Sequence, residues 1–225
     1  MPQSANAELS ASVKFTTNYI HRGYSKSNGN PSFQGDIDYE HSSGLFTGAR
    51  LSWVDFVERN SSDHAHLEIN PYLGWSYGLT DDWRIEALLA GYLYDNKILN
   101  RDANYFESSF AVHYRDLVTA RFTYAPDSYG HAFELFTYEL QTRYPLTDTF
   151  TLSAALGFED GNPIREYDYL YWNIGASWFL HKNLAVDLRY HGLNFLHENH
   201  SYGPAVQFTP AWINSEVVFS ISVGF

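Results

Sequence analysis

Hydrophobic and polar residues alternate with a period of two along most of the chain. At the C-terminus, Glu216, Ser220, Ser222 and Gly224 alternate with apolar residues. Successive side chains of a β-strand point to opposite faces of the sheet, so this alternation predicts a strand with one apolar face. That face consists of Val217, Phe219, Ile221, Val223 and Phe225.

The same alternation recurs and predicts twelve strands. The predicted runs are residues 7–20, 33–42, 45–56, 64–79, 83–95, 104–115, 117–125, 132–145, 149–159, 168–181, 183–196 and 212–225. Pro71 lies inside the fourth run, and proline has no backbone N–H to donate to a neighbouring strand. We therefore expect a bulge or another local irregularity there.

The connections between the predicted strands alternate in length. Those after even-numbered strands are tight turns such as Ser43-Gly44, whereas those after odd-numbered strands are longer and rich in Gly, Pro, Asn and charge. An even strand number, with short turns at the end that holds both termini, is typical of an outer-membrane barrel. The prediction is an all-β fold: a transmembrane, antiparallel, up-and-down barrel of about 12 strands in one domain, residues 1–225.

The first residues, 1–7, are interpreted as a leader or the remnant of a cleaved signal peptide. Ala5-Asn6-Ala7 has the small-residue form that signal peptidase leaves at its cleavage site. A polar stretch before the first strand explains the same residues equally well.

The charges within the predicted strands fall on the face opposite the apolar one, except Asp55 and Glu134, which lie near the loop ends of their strands, where a charge can reach water. An Arg or Lys facing lipid at mid-depth costs about 2–4 kcal/mol, so the apolar face is predicted to face lipid. Aromatic residues account for 18% of the chain and gather near strand ends, as two interfacial girdles would require. Tyr19 is among those predicted to face outward. A soluble lipocalin-like barrel would reverse this pattern, with an apolar interior.

Composition removes several alternatives. The net charge of −12 argues against a nucleic-acid partner, which would require a basic face. The chain has no cysteine, so it has no disulfide or thiolate chemistry. No run approaches 18 consecutive apolar residues, which excludes a membrane-spanning helix but not a barrel.

Several segments resemble one known family. The segment His21-Arg22-Gly23-Tyr24-Ser25, followed by Gly29-Asn30-Pro31, Gln34-Gly35 and Asp38-Tyr39, resembles the opening hairpin of the TorF-type porins, which are exported by Gram-negative bacteria. Asn104-Tyr105-Phe106-Glu107 and Tyr124-Ala125-Pro126-Asp127 fit as well, whereas His21, Tyr24 and Asn70-Pro71 depart from the family's pattern. The resemblance implies a barrel in the Gram-negative outer membrane. It also implies that Phe225 is the terminal signal read by the barrel-assembly machinery.

The inward charges suggest a function. Acidic residues on the second predicted strand lie opposite arginines on strands five to eight in a twelve-strand ring, which predicts a narrow passage with charged walls. The predicted function is a porin or channel for passive diffusion of small hydrophilic solutes or ions. The predicted pore-lining residues are Asp36, Asp38, Glu40, Arg50, Arg84, Arg115, Arg121, Arg143, Asp187 and Arg189.

Two other functions remain open at this point. Opposite charges could pair and fill the interior, which would give a closed structural or adhesion barrel. His113 or His191 near a serine could serve a lipid-modifying hydrolase, although no local catalytic signature is present and no enzyme activity is predicted.

His64 and His66, or His197 and His200, could hold a divalent ion, but they lack a third ligand. No metal or cofactor is therefore predicted.

These inferences define the expected surroundings of the protein. We expect it in the cell outer membrane of a Gram-negative bacterium, in contact with outer-membrane lipid and lipopolysaccharide. The barrel-assembly machinery and small hydrophilic solutes or ions are the other expected partners.

Overall fold

A computed structural model describes residues 7–56, 64–98, 102–160, 167–198 and 211–225. Within these ranges the chain forms strands and one short 3-10 turn, Ser128–Gly130. In chain order the strands are β1 (Glu8–Thr16), β2 (Ile20–His21), β3 (Tyr24–Ser25), β4 (Ser32–Glu40), β5 (Leu45–Trp53), β6 (Leu67–Gly78), β7 (Trp83–Tyr94), β8 (Tyr105–Tyr114), β9 (Val118–Ala125), β10 (Leu135–Thr147), β11 (Phe150–Asp160), β12 (Tyr167–His181), β13 (Leu184–Glu198), β14 (Ala211–Trp212) and β15 (Ser215–Gly224).

Twelve of the described strands form a closed antiparallel barrel. Each strand from β4 to β13 pairs with its neighbour in sequence, and β13 pairs with β15. The first and last strands close the barrel, with Ser12 opposite Gly224 and Thr16 opposite Ser220. Closure matters because each unpaired backbone group would cost several kcal/mol in lipid. The remaining short strands, β2, β3 and β14, form a separate small sheet.

The structure confirms the predicted fold class and the twelve strands. Each predicted run overlaps one barrel strand, although β1 ends at Thr16, before the end of the first run, because the chain then turns away from the wall. The irregularity at Pro71 is also confirmed. The pairing of β6 with β7 is interrupted between Ile69 and Tyr72, and the side chain of Asn70 donates to the carbonyl oxygen of Gly91 at 3.3 Å.

The outer surface of the barrel is apolar. Near mid-strand, Leu140, Ile174, Leu188 and Val217 are all more than half exposed, at 53%, 56%, 56% and 59%. Exposed aromatic pairs lie nearer the strand ends, such as Trp75 with Tyr77 and Phe33 with Trp53. This arrangement suits a barrel whose outer wall meets hydrocarbon and whose two rims meet lipid headgroups.

Two further predictions concern membrane-spanning helices and the leader segment. No helix in the described ranges is long and apolar enough to cross a membrane. The leader prediction for residues 1–7 falls almost wholly on residues 1–6, which lie outside the described ranges.

Closure of the barrel can be tested with cysteines, since the natural chain has none. Val13 and Val223 are directly opposite each other on β1 and β15. Opposed side chains of an antiparallel pair have Cβ atoms about 4.5–5.5 Å apart, within reach of a short thiol crosslinker. We expect Val13→Cys combined with Val223→Cys to crosslink within one molecule, as judged by electrophoretic mobility. Crosslinked dimers in place of monomers would contradict the closed barrel.

Candidate functional site

Three polar cavities in the interior of the barrel are lined by described residues. The basic cavity, about 380 Å³, is lined by Thr119, Gln141, Arg143, Asn173 and Arg189 among others. The acidic cavity, about 370 Å³, is lined by Glu8, Asp38, Glu40, Arg84 and Glu86 among others. Both lie toward the end of the barrel that carries the short turns. The third, about 250 Å³, contains Lys14, Arg50, Arg189 and His191 in its lining and is called the hairpin cavity below.

Most of the predicted pore-lining charges are held by neighbours on the wall. Arg50 donates through Nε to Asp36 at 2.5 Å, from β5 to the adjacent β4. Arg189 donates to Asp187 at 3.0 Å and also to Asn173 at 2.6 Å and Ser153 at 2.8 Å. These bonds orient the guanidinium groups along the wall and neutralise them locally.

A second network joins strands β7, β8 and β9. Glu86 accepts from Arg121 at 3.1 Å and lies 3.5 Å from Arg84. Arg84 also donates to Asp116 in the turn after β8, at 2.8 Å. The hydrogen bond from Arg84 holds the pKa of Asp116 below its ordinary value. This network anchors the arginines that the sequence places opposite the acidic strand.

Arg115 lies in a turn at the rim, not along a strand. Its backbone φ is 52°, a left-handed conformation, and its side chain donates to Asp82 of the neighbouring turn at 2.7 Å. This hydrogen bond lowers the pKa of Asp82. The pairing joins two turns across the rim, so Arg115 is farther from the lumen than strand alternation alone suggested.

Of the charged residues that line the acidic and basic cavities, four have no hydrogen-bond or ion-pair partner among the residues that the structure describes: Glu8, Asp38, Glu40 and Arg143. Glu8 lies on β1, Asp38 and Glu40 lie on β4, and all three line the acidic cavity. Arg143 lies on β10 and lines the basic cavity. In the strand order β4 and β10 are six places apart in a ring of twelve, so they face each other across the lumen. The opposition of acid and base expected from the sequence therefore rests on few residues.

The half of the lumen at the end with the longer connections, called the outer half below, contains a hairpin. The period-two alternation of the sequence did not predict it. The connection between β1 and β4 turns inward, and β2 and β3 pair there as a short hairpin that β14 extends. Gly23 at its tip has φ of 84°, and a Cβ atom there would lie 2.6 Å from Leu193 Cδ1. A glycine is needed because only it combines this backbone conformation with so close an approach to the wall. Residues 20–26 are called the plug hairpin below.

Ion pairs fasten the plug hairpin to the wall. Lys26 donates to Glu68 on β6 at 2.5 Å, and both side chains are fully buried at 0% exposure. The hydroxyl of Tyr94 also donates to Glu68, at 2.6 Å, and that of Tyr19 does so at 3.0 Å. Tyr19 was predicted to face outward and that prediction is wrong, because the chain leaves the wall after Thr16 and carries this ring inside.

A second ion pair holds the other side of the plug hairpin. Arg22 donates with both terminal nitrogens to the two oxygens of Glu107 on β8, at 2.8 and 2.9 Å. Glu159 on β11 lies 4.0 Å away from the same guanidinium. Breaking a buried pair by removing one partner typically costs about 3–5 kcal/mol. The plug hairpin is thus firmly seated in the structure.

An aromatic cluster lies above the wall at the same end. Tyr129 packs against Tyr105 at a ring-centroid distance of 4.8 Å, and its hydroxyl lies 2.6 Å from that of Tyr24 in the plug hairpin. Val54, Phe56 and other loop residues complete this buried cluster. The plug hairpin and the cluster together narrow the outer mouth in the described part of the chain.

The contacts of the plug hairpin left a weak signal in the sequence. Glu68, Glu107 and Glu159 are acidic inward positions near the loop ends of their strands, and few inward cations lie near them. The first loop carries two cations, Arg22 and Lys26. The opposite charges of this loop and of the three glutamates would have suggested that the loop enters the lumen. They could not have shown which cation meets which glutamate.

The described histidines do not form the arrangement that a hydrolase requires. His113 Nδ1 lies 2.9 Å from the hydroxyl of Thr119, and its Nε2 is 3.6 Å from Glu86, too long for a hydrogen bond. His41 lies 2.9 Å from the hydroxyl of Ser43 at the rim, but no acidic group orients it within the described ranges. Neither arrangement supplies the nucleophile, base and orienting acid of a triad.

The proposed metal-binding histidines are only partly described. His64 and His66 are adjacent, with ring centroids 4.4 Å apart, and His64 lies 3.8 Å from Asp55. Among the described residues no group of three ligating side chains could hold a metal ion. His200 and the side chain of His197 lie outside the described part of the chain.

Comparison with known proteins places the chain in a family. A sequence model described as a bacterial protein of unknown function (Gcw_chp) matches residues 2–225. The chain belongs to this family. No curated protein sequence matches the chain.

Solved structures with the same fold include named porins. The KdgM porin shares 10% identity with a TM-score of 0.57, covering 96% of this chain and 98% of its own. A structure of the KdgM porin in complex with disordered oligogalacturonate gives a TM-score of 0.61 at 11% identity, with the same coverage. The NanC porin gives 0.57 at 9% identity, covering 97% of this chain and 99% of its own. At such low identities the likeness establishes a porin-like barrel fold.

Proposed function

We propose that this protein is an outer-membrane channel through which small hydrophilic solutes or ions diffuse passively. The observation that carries the proposal is one closed barrel with an apolar outer face and polar cavities inside. Eight strands leave an interior just filled by side chains, and sixteen leave a wide aqueous channel. Twelve strands suit a narrow passage between these limits.

The comparisons support this proposal and its location. The structures of similar fold include porins, and porins act in the Gram-negative outer membrane. The sequence resemblance to TorF-type porins is consistent with the same class and location. In this proposal Phe225, which is 73% exposed at the end of the last strand, remains available to the barrel-assembly machinery.

The proposed selectivity rests on the wall charges that lack partners. Asp38 and Glu40 on one wall and Arg143 on the other are free to interact with a passing solute, whereas Arg121 and Arg189 are held by Glu86 and Asp187. A charged ring lining a pore biases which ions pass. Among the described residues at this end, three unpartnered carboxylates outnumber one unpartnered arginine, so we expect a weak preference for cations at low salt.

Conductance measurements test the proposal. Refolded protein in planar bilayers should give discrete but small current steps, because the plug hairpin narrows the outer half of the lumen. Asp38→Ala should shift the reversal potential in a salt gradient toward anion preference, and Arg143→Ala should shift it toward cation preference. Identical reversal potentials for both variants and the natural protein would remove these residues from the ion path.

A closed structural barrel is the second candidate function. The buried Lys26–Glu68 pair and the aromatic cluster favour it, because both fill the outer mouth. If neither the natural protein nor a variant with a released plug hairpin carries current, the closed barrel becomes the better description. The hydrolase alternative has no comparable support, because the described residues form no catalytic triad.

A further inference from the structure

The hairpin cavity lies beneath the plug hairpin at the inner end of a row of basic residues. Arg189 lines both this cavity and the basic cavity, where Arg143 also lies. Arg143, Arg189 and Lys14 therefore form a row of basic residues that leads from the basic cavity to the hairpin cavity.

Lys14 is the unbalanced charge of the hairpin cavity. Arg50 is neutralised by Asp36 and Arg189 by Asp187, whereas the ammonium of Lys14 has no partner among the described residues. Glu216 lies six residues along β15 from Ser222, the residue opposite Lys14, and its oxygens accept from Asn18 at 2.8 and 2.9 Å. A half-buried ammonium without a counter-charge is unfavourable, and a bound anion would relieve that cost.

A buried amide adjacent to Lys14 also lacks a partner. Gln34 is directly opposite Lys14 in the pairing of β1 with β4, lines the same cavity and is only 7% exposed. Its side chain makes no hydrogen bond within the described ranges. Because Gln34 lines the cavity, its amide is available as a hydrogen-bond donor to a molecule bound there. Arg50 adds donors, since it uses Nε for Asp36 and its two terminal nitrogens make no hydrogen bond to the described residues.

We propose that the hairpin cavity binds a small monocarboxylate, with the carboxylate between Lys14, Arg50 and Gln34. The charges that line the cavity favour a monoanion. Once Arg50 and Arg189 are paired with their aspartates, the single positive charge of Lys14 remains. The volume of about 250 Å³ corresponds to roughly eight water molecules at about 30 Å³ each, enough for a hydroxy acid of lactate size. The proposal deepens the channel function by naming a ligand class for one site inside the lumen. The weak cation preference comes from the unpartnered carboxylates at the turn end, and binding at the hairpin cavity does not itself require conduction.

Binding to refolded protein in detergent micelles tests this proposal without any measurement of current. Saturation-transfer NMR with lactate should show binding, whereas lactamide, its neutral isostere, should bind at least about tenfold more weakly because it lacks the charge. Lys14→Met should weaken lactate binding at least about tenfold, and Lys14→Arg should preserve it. Lys182→Met, the same change at an exposed turn, is the matched control and should bind as the natural protein does.

Each other outcome would overturn the assignment. Equal binding of lactate and lactamide, or unchanged binding in Lys14→Met, would show that Lys14 does not recognise a carboxylate. Lys14-dependent binding of inorganic phosphate that is tighter than that of lactate would assign the site to a different anion.

A second variant covers the case in which Lys14→Met does not fold, as judged by heat-modified electrophoretic mobility. Gln34→Leu should then weaken lactate binding. A failed conductance test leaves all these results interpretable, because none depends on a current.

Discussion

Glu68→Gln should open the channel. The substitution keeps the size of the side chain but leaves the buried ammonium of Lys26 without its counter-charge, at 0% exposure for both partners. Removing one member of a buried pair costs about 3–5 kcal/mol, which changes the equilibrium between seated and released plug hairpin by about a hundredfold or more. We expect larger and more frequent current steps in planar bilayers than for the natural protein.

Glu134→Gln is the matched control for this experiment. It makes the same chemical change at an exposed carboxylate that accepts a hydrogen bond from Tyr124 and not from the plug hairpin. It should leave the size of the current steps nearly unchanged. Glu107→Gln, at the Arg22 anchor, should act in the same direction as Glu68→Gln. Unaltered currents in both anchor variants would show that the plug hairpin does not control flow.

Leu140→Arg should strongly impair folding into lipid. Leu140 is in the middle of β10, opposite Ala120 and Leu156, and is 53% exposed on the outer wall. Arginine facing the bilayer midplane costs about 2–4 kcal/mol, a large part of the stability of a typical domain. Refolding into vesicles, followed by heat-modified electrophoretic mobility, should give a much lower folded fraction than for the natural protein.

Gln141→Arg is the control at the next position of the same strand. Gln141 lines the basic cavity, where water can solvate an added guanidinium. Its folded fraction should stay close to that of the natural protein. Equal losses at positions 140 and 141 would contradict the assignment of the two faces of β10.

The sequence alone predicted the barrel wall well, for a simple physical reason. A strand that separates lipid from water must alternate apolar and polar residues, and this requirement is local enough to read along the chain. Each predicted run accordingly overlaps one barrel strand. The interruption of strand pairing at Pro71 was also predicted correctly, because the missing N–H is a property of that one residue.

The interior was harder to predict because it depends on contacts between distant parts of the chain. Alternation showed that Glu68, Glu107 and Arg189 face inward, but it could not show which opposite charge each one meets. The first run was extended through Tyr19 because nothing local marks the point after Thr16 where the chain leaves the wall. Lys26 meets Glu68 across 42 positions, so no short window contains both partners.

The sequence by itself therefore determined the twelve strands, the lipid face and the end that carries the turns. Only the tertiary structure decided that the first loop enters the lumen, which charges are neutralised on the wall and which remain open to solutes. The physical reason is the range of the interactions. Solvation of the two strand faces acts residue by residue, whereas ion pairing inside a barrel depends on the strand order and register that closure imposes.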